Sequence, residues 1–196
     1  MAKKESSFLN MVLTLFLVTG VAGLALGYVY NITEKPIALS KKVKLEKAIK
    51  AVVPEFNNEI SKDKQTININ DKDSVVLYFA KKDDEIVGTA VETYTNKGFS
   101  GKFRIMVGFL PDESIYNTSV LEHKETPGLG DKMDAKKSDF SKQFINKNPQ
   151  NFKLLVKKDK GDVDAITAAT ISSRAFCDAV QRAYDNYKNN NGGNKK

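Results

Sequence analysis

Twenty-three consecutive residues, FLNMVLTLFLVTGVAGLALGYVY from Phe8 to Tyr30, contain no charged side chain. A helix needs roughly 20 predominantly apolar residues to cross a bilayer core. The stretch is therefore expected to be a transmembrane helix, and the rest of the chain must fold as an anchored domain. The rival reading is a cleavable signal peptide, whose apolar region usually runs to only about 7–15 residues. Ala22-Gly23 and Ala25-Leu26-Gly27 are small enough for a peptidase, but the apolar run continues past them to Tyr30, which favours an uncleaved anchor. Gly20, Gly23 and Gly27 fall at helical spacing. They form either a face that a second membrane helix can approach closely or the ordinary glycine content of a membrane helix.

Lys3 and Lys4 precede this run, and Lys35, Lys41, Lys42, Lys44, Lys47 and Lys50 follow it. The positive-inside rule alone places the large domain in the cytoplasm, although long domains can translocate despite such charge. The chain has a net charge of +7, with six lysines against two glutamates between Glu34 and Lys50. Basic charge just outside a membrane favours contact with anionic headgroups over nucleic acid; a solvated helix face is the alternative. No basic-aromatic cluster suggests base stacking, so no nucleic-acid partner is expected. The single cysteine, Cys177, excludes an internal disulfide and a cysteine-ligated iron–sulfur cluster. It falls in the apolar pattern of the last helix and is expected to be a buried thiol. One histidine leaves no imidazole cluster, and no metal site is expected.

About 165 residues follow the anchor, enough for one domain with a real core. Leu39, Val43, Ile49, Val52 and Val53 repeat at helical spacing, and Pro54 ends that helix. Strands are expected at Gln65–Asn70, Ser74–Ala80, Glu85–Thr95, Lys102–Leu110 and Ser114–Glu122. Lys81–Glu85 and Pro111-Asp112-Glu113 read as turns. Short polar turns between successive strands imply an antiparallel meander. A second helix is expected over Asp134–Asn146 with Phe140 and Phe144 on one face, then a short strand over Lys153–Lys157. A final helix over Ser172–Tyr187 places Ala175, Phe176, Ala179, Val180, Ala183 and Tyr184 on one stripe. The tail NNNGGNKK is expected to be disordered. The fold class is α+β, an antiparallel sheet flanked by helices behind one N-terminal transmembrane helix. Neither an internal repeat nor a Walker-type phosphate loop is present.

Three segments carry the chemistry. DAITAATISS, Asp164 to Ser173, sets a carboxylate ahead of small residues, two threonines and two serines that can cap the last helix. Threonine is a poor nucleophile alone but becomes useful if another enzyme attaches a group to it. Ala165, Ala168 and Ala169 leave room for such an enzyme, and a phosphate linked at Thr170 would lie near a helix terminus with free amides. Gly98-Phe99-Ser100-Gly101 and Glu125-Thr126-Pro127-Gly128-Leu129-Gly130 are glycine-bearing segments next to apolar strands. The second can lay main-chain amides against a flat ring or a phosphate. Each of the three, alone, also reads as an ordinary turn or cap.

In combination, GFSGKFRIMVGF, HKETPGLGDKM and DAITAATISS, in that order behind one membrane helix, resemble the FMN-binding G subunit of the Rnf electron transport complex. A related family is the C subunit of the sodium-pumping NADH:quinone reductase. The resemblance covers the anchor and nearly all of the remaining domain. In that family the acceptor pattern runs Asp, two residues, Ser or Thr, Gly or Ala, Ala, Thr. Its last threonine carries FMN through a phosphoester, which here implies covalent FMN on Thr170. Thr167 then takes the Ser/Thr place, Asp164 the acidic one and Ala169 the small one, while Ala168 stands where glycine is commoner. The resemblance further implies that Glu125, Thr126, Pro127, Gly128, Leu129 and Gly130 line the isoalloxazine. Lys132 is then a candidate to stabilise an anionic reduced flavin, or a solvated surface lysine, and His123 a candidate orienting residue.

The function so implied is electron transfer within a membrane-bound ferredoxin:NAD oxidoreductase complex coupled to ion translocation. Implied partners are the other subunits of that complex and a flavin transferase during maturation. The chain itself is substrate for the transferase, with no catalytic residue and no independent turnover expected. The implied layout is a cytoplasmic N-terminus over 1–7, a membrane helix over 8–30, an extracytoplasmic FMN-binding domain over 31–188 and a disordered tail over 189–196. That topology opposes the lysine count. Alternatives are the quinone reductase C subunit, an anchored flavin reductase, and a non-redox module whose glycine loops are only turns.

Overall fold

The architecture is that of a computed structural model describing residues 7–70 and 73–191. All but Ser7 of the expected cytoplasmic N-terminus, and the last five residues of the tail, lie outside the described residues. The first element, α1, is a single helix, Phe8–Val52, of 45 residues. Phe8 to Tyr30 are all exposed on it, and the helix is long and apolar enough to cross a membrane. Its threonine hydroxyls turn back onto the helix. Thr14 donates to the Asn10 carbonyl at 2.7 Å and Thr19 to that of Leu15 at 2.8 Å. Hydroxyls satisfied in this way are compatible with a surrounding that offers no water.

The helix expected to end at Pro54 is not a separate element. It continues α1 through Pro36, which withholds one N–H without ending the helical ladder. From Leu45 onward the helix belongs to the compact unit that holds the sheet. There Ala48, Ile49, Val52 and the following Val53 are buried with Tyr78, Ala80, Ala90 and Met106.

Five strands follow: β1 Lys64–Asn68, β2 Ser74–Lys82, β3 Glu85–Gly98, β4 Gly101–Phe109 and β5 Ile115–Glu122. They pair antiparallel in chain order, the meander that short polar turns dictate. Asp83 and Asp84 both have positive φ, at 52° and 68°, which gives the β2–β3 hairpin the twist its strands require. The β3–β4 turn is equally tight, with Gly98 paired to Gly101 and only Phe99 and Ser100 between them. Between β5 and the last helix the chain forms short 3₁₀ turns at Gly130–Met133, Phe140–Phe144 and Lys157–Asp159.

The last helix, α2, spans Thr170–Asn191. Ala175, Phe176, Ala179, Val180, Ala183 and Tyr184 are buried in one core with Val91, Phe103, Ile105, Val107 and Phe109 of the sheet. Cys177 lies in the same core, and burial pushes its thiol pKa up to about 12. The helix opens two residues earlier than expected and runs through Asn191, so residues 189–191 of the tail are helical.

Two further expectations are corrected. Asp134–Asn146 is not an α-helix, although Phe140 and Phe144 are buried as its apolar spacing required. Side chains take the local backbone groups instead. Asp134 accepts from the Lys136 amide at 3.0 Å, and Ser138 accepts from the Phe140 amide at 3.1 Å while donating to the Lys132 carbonyl at 2.6 Å. Such bonds compete with the helical ladder. The strand expected over Lys153–Lys157 is reduced to one parallel bridge, Val156 to Val163. The Lys153 amide there bonds to the Asp162 side chain at 2.7 Å rather than to a neighbouring strand.

Phe176 is fully buried against Phe140 and Phe144, with ring centroids 5.3 and 5.2 Å away. Phe99 is 67% exposed. Phe176→Ala should cost about 3–5 kcal/mol of stability, and Phe99→Ala should stay within about 0.5 kcal/mol of the parent. Chemical denaturation of the detergent-solubilised chain measures both; similar losses for the two would contradict this packing.

Candidate functional site

The site is built where the β3–β4 turn, the loop after β5 and the start of α2 meet. Ile166 to Ala169 make a tight turn, with the Ala169 amide bonded to the Ile166 carbonyl at 3.0 Å and Ala168 left-handed at φ +60°. A left-handed conformation favours glycine over any residue with a Cβ, so Ala168 holds this turn against its own backbone preference. Thr170 then opens α2 in a half-buried position. The expected serine caps fall inside the first turn of this helix. Ser173 fastens the preceding turn, accepting from the Ile166 amide at 2.9 Å and donating to the Ala169 carbonyl at 3.0 Å. Ser172 points instead to the loop after β5, donating to Glu125 Oε2 at 2.6 Å.

Glu125 is only 4% exposed. Its other oxygen, Oε1, accepts from the Ser100 amide of the β3–β4 turn at 3.1 Å. One carboxylate thus joins all three segments. A Cβ at Gly130 would lie 2.5 Å from Glu125 Oε2 and 2.5 Å from Ser172 Oγ; one at Gly98 would lie 2.7 Å from Glu125 Oε1. Glycine at 130 leaves room for the carboxylate and Ser172, and glycine at 98 leaves room for the carboxylate and, nearer still, for the Gly101 carbonyl across the turn.

Around this junction opens a cavity of about 300 Å³. Glu125, Thr126, Leu129 and Gly130 form one wall, Ala169 and Thr170 another, and Phe99 a third. Phe99, Leu129 and Ile171 keep exposed apolar surface beside it. The volume is at the lower end of the roughly 300–1,000 Å³ of ligand pockets. The first amides of α2 have no partner inside the helix and sit at its positive end. Apolar walls, a glycine cradle and a helix N-terminus beside one threonine hydroxyl suit a flat ring carrying a phosphate.

The expected site residues divide. Glu125, Thr126, Leu129, Gly130, Ala169 and Thr170 come together in this cavity. Asp164 and Thr167 line a separate groove of about 450 Å³ with Lys132 and Gln143. In that groove Asp164 receives the Lys157 ammonium at 2.8 Å, and its backbone N–H and carbonyl are both held by the Gln143 amide. Pro127 and Gly128 are exposed in the loop, Gly128 with φ +78°. His123 acts on the loop's backbone, its Nδ1 accepting from the Glu125 amide at 3.2 Å. Phe99, Ala168, Ile171 and Ser172 line the cavity as well, outside the set of ligands that the sequence suggests. For Phe99 a signal exists: an aromatic side chain between two glycines at a hairpin tip has no core to enter.

The cavity lies within residues 98–185, which match the FMN-binding domain family. The fold and the site are thus those of an FMN-binding domain behind a helix able to span a membrane. The chain is similar to the G subunit of the ion-translocating oxidoreductase complex of Erwinia tasmaniensis, 38% identical over 156 residues that cover 76% of this chain and 73% of the relative. It is 32% identical over 188 residues to the protein of that name from Aliivibrio fischeri, covering 91% of this chain and 89% of the relative. To that of Haemophilus influenzae it is 34% identical over 166 residues, covering 79% and 78%. The chain belongs to the family of G subunits of ion-translocating oxidoreductase complexes.

The loop itself is clamped by Asp131, buried one residue beyond Gly130, whose Oδ2 receives the Lys137 ammonium at 2.5 Å. That hydrogen bond holds the Asp131 carboxyl below its usual value of 3.8. A depressed folded-state pKa means the stabilisation is complete above the ordinary carboxylate pKa and is lost as pH falls through the folded value. Stability of the parent should therefore drop more steeply than that of Asp131→Asn as pH falls below about 4. Urea midpoints against pH measure this, and parallel profiles would remove Asp131 as the acid-sensitive clamp.

Proposed function

We propose that this chain is the FMN-carrying electron-transfer subunit of a membrane-bound, ion-translocating ferredoxin:NAD oxidoreductase complex of the Rnf type. The observation that carries the reading is the convergence of Thr170 and the Glu125–Gly130 loop on one cavity. FMN bound there supplies reversible uptake and release of electrons. The chain's own residues hold it: Leu129, Phe99 and Ile171 offer apolar surface for a ring, and the α2 N-terminus offers amides for a phosphate. Thr170 supplies the hydroxyl that a flavin transferase joins to the FMN phosphate, so in that step the chain is substrate. Electron exchange occurs with the complex's other subunits. Family membership supports this reading over the related C subunit of the sodium-pumping quinone reductase.

Asp164 and Thr167 have a different part in the proposed acceptor motif. They face the groove beside the turn, where the transferase can reach them, while Ala169 and Thr170 face the cavity. Thr170→Ala should abolish flavin fluorescence that survives denaturing gel electrophoresis, with a matching loss of intact mass. Thr167→Ala should retain part of both. Fluorescence persisting in Thr170→Ala and mapping to another residue would sink the assignment.

The proposed layout is a cytoplasmic segment over 1–7, a single membrane span over 8–30 and an extracytoplasmic flavin domain over 31–188. The lysines after Tyr30 argue against export by the charge rule. Their helix, however, runs on without interruption into the folded domain, since α1 ends only at Val52. Of these lysines, Lys47 and Lys50 lie beyond Leu45 in the compact unit that holds the sheet, and in this layout they belong to the exported fold rather than to a flank that sets orientation. Ser61 is exposed in the loop before β1. A cysteine introduced at Ser61 should be labelled by a membrane-impermeant thiol reagent in intact cells or spheroplasts. Labelling only after lysis would put the domain on the cytoplasmic face.

A further inference from the structure

The Glu125 carboxylate is walled into the flavin cavity, yet both of its hydrogen-bond donors are neutral. Oε2 takes the Ser172 hydroxyl at 2.6 Å and Oε1 the Ser100 amide at 3.1 Å. Burial of a carboxylate without a cation is costly. Two glycines make it possible, because a methyl group at Gly98 or Gly130 would meet the carboxylate oxygens. A glutamine of the same shape could accept from the Ser100 amide and donate to the Ser172 hydroxyl without that cost. What a glutamate offers here over a glutamine is its negative charge.

We infer that Glu125 is a potential-setting residue, a fixed negative charge in the cavity wall that makes the bound flavin harder to reduce. The inference rests on the proposal that FMN occupies this cavity. Electron uptake by a ring adds negative charge to it, and a like charge held in a poorly solvated wall raises the free energy of that addition. The field at the ring depends on how far the carboxylate's charge is drawn off by its donors. Ser172 draws on Oε2 through a short hydroxyl bond, and its position in the first turn of α2 ties that bond to the attachment point at Thr170. Ser172 is thus a positioning residue that also moderates the charge. The two side chains act on the potential in opposite directions.

The test is spectroelectrochemical titration of the full-length chain in detergent, coexpressed with a flavin transferase, alongside the parent. Glu125→Gln keeps the shape and removes the charge, and its midpoint potential should be more positive than the parent's. Ser172→Ala leaves the charge less compensated, and its potential should be more negative. A purely structural role for Glu125 would move the unfolding midpoint of the flavin-free chain without these opposed shifts. An unmoved or lowered potential in Glu125→Gln overturns the inference. If Glu125→Gln fails to load flavin, Ser172→Ala decides, and a potential equal to or above the parent's overturns it. A parent that carries no FMN would instead overturn the functional reading on which the inference stands, and in-gel fluorescence of the parent separates the two failures.

Discussion

Three stretches far apart in the chain share one carboxylate. Glu125 receives the backbone of the β3–β4 turn on one oxygen and the first turn of α2 on the other. Without it, the Ser100 amide and Ser172 hydroxyl lose a common anchor, and the cavity walls have no reason to hold their spacing. The rest of the site is arranged around that junction. Gly98 and Gly130 give it room, His123 fixes the amide of the same residue, and Asp131 with Lys137 secures the loop just beyond it. Removing one partner of a buried polar group costs more than making the bond ever contributed. The junction therefore behaves as a unit, in which a change at any member is felt by the other two segments.

The sheet is legible in the sequence because its signals are local. Alternating apolar residues and short polar turns specify an antiparallel meander regardless of what packs on it, and the aspartates at 83 and 84 tolerate the positive φ that such a turn needs. The buried stripe of α2 is legible for the same reason. What the residues do not display is competition. Phe140 and Phe144 have helical spacing and are buried as expected, yet Asp134 and Ser138 draw the backbone into turns. Val156 finds one bridging partner in place of a strand. The membrane run ends at Tyr30, but the helix continues past it and through Pro36 to Val52.

The candidate site is legible as motifs and not as a surface. Glu125, Thr126, Leu129, Gly130, Ala169 and Thr170 do meet. The proposed acceptor motif, by contrast, is one word in the sequence and two places in the fold. Asp164 and Thr167 fall on one side of the Ile166–Ala169 turn and Thr170 on the other. Nothing in residue identity announces that division, because it is produced by a single reversal of the backbone at Ala168. Ser172 is silent in the sequence for a related reason, since its significance lies in the Glu125 carboxylate it reaches across space.

That reversal has a consequence for anyone wishing to move the proposed acceptor threonine elsewhere. In this fold the threonine is presented by a left-handed residue two positions ahead of a helix start, with Ser173 stitching the turn shut from inside the helix. A short peptide in water must overcome the cost of helix nucleation before it can present such a start. A host that already has a left-handed residue two positions ahead of a helix would present the threonine as it stands here, and an unstructured terminus would not. How the threonine is presented is thus a question of backbone, and position 168 is where the backbone turns.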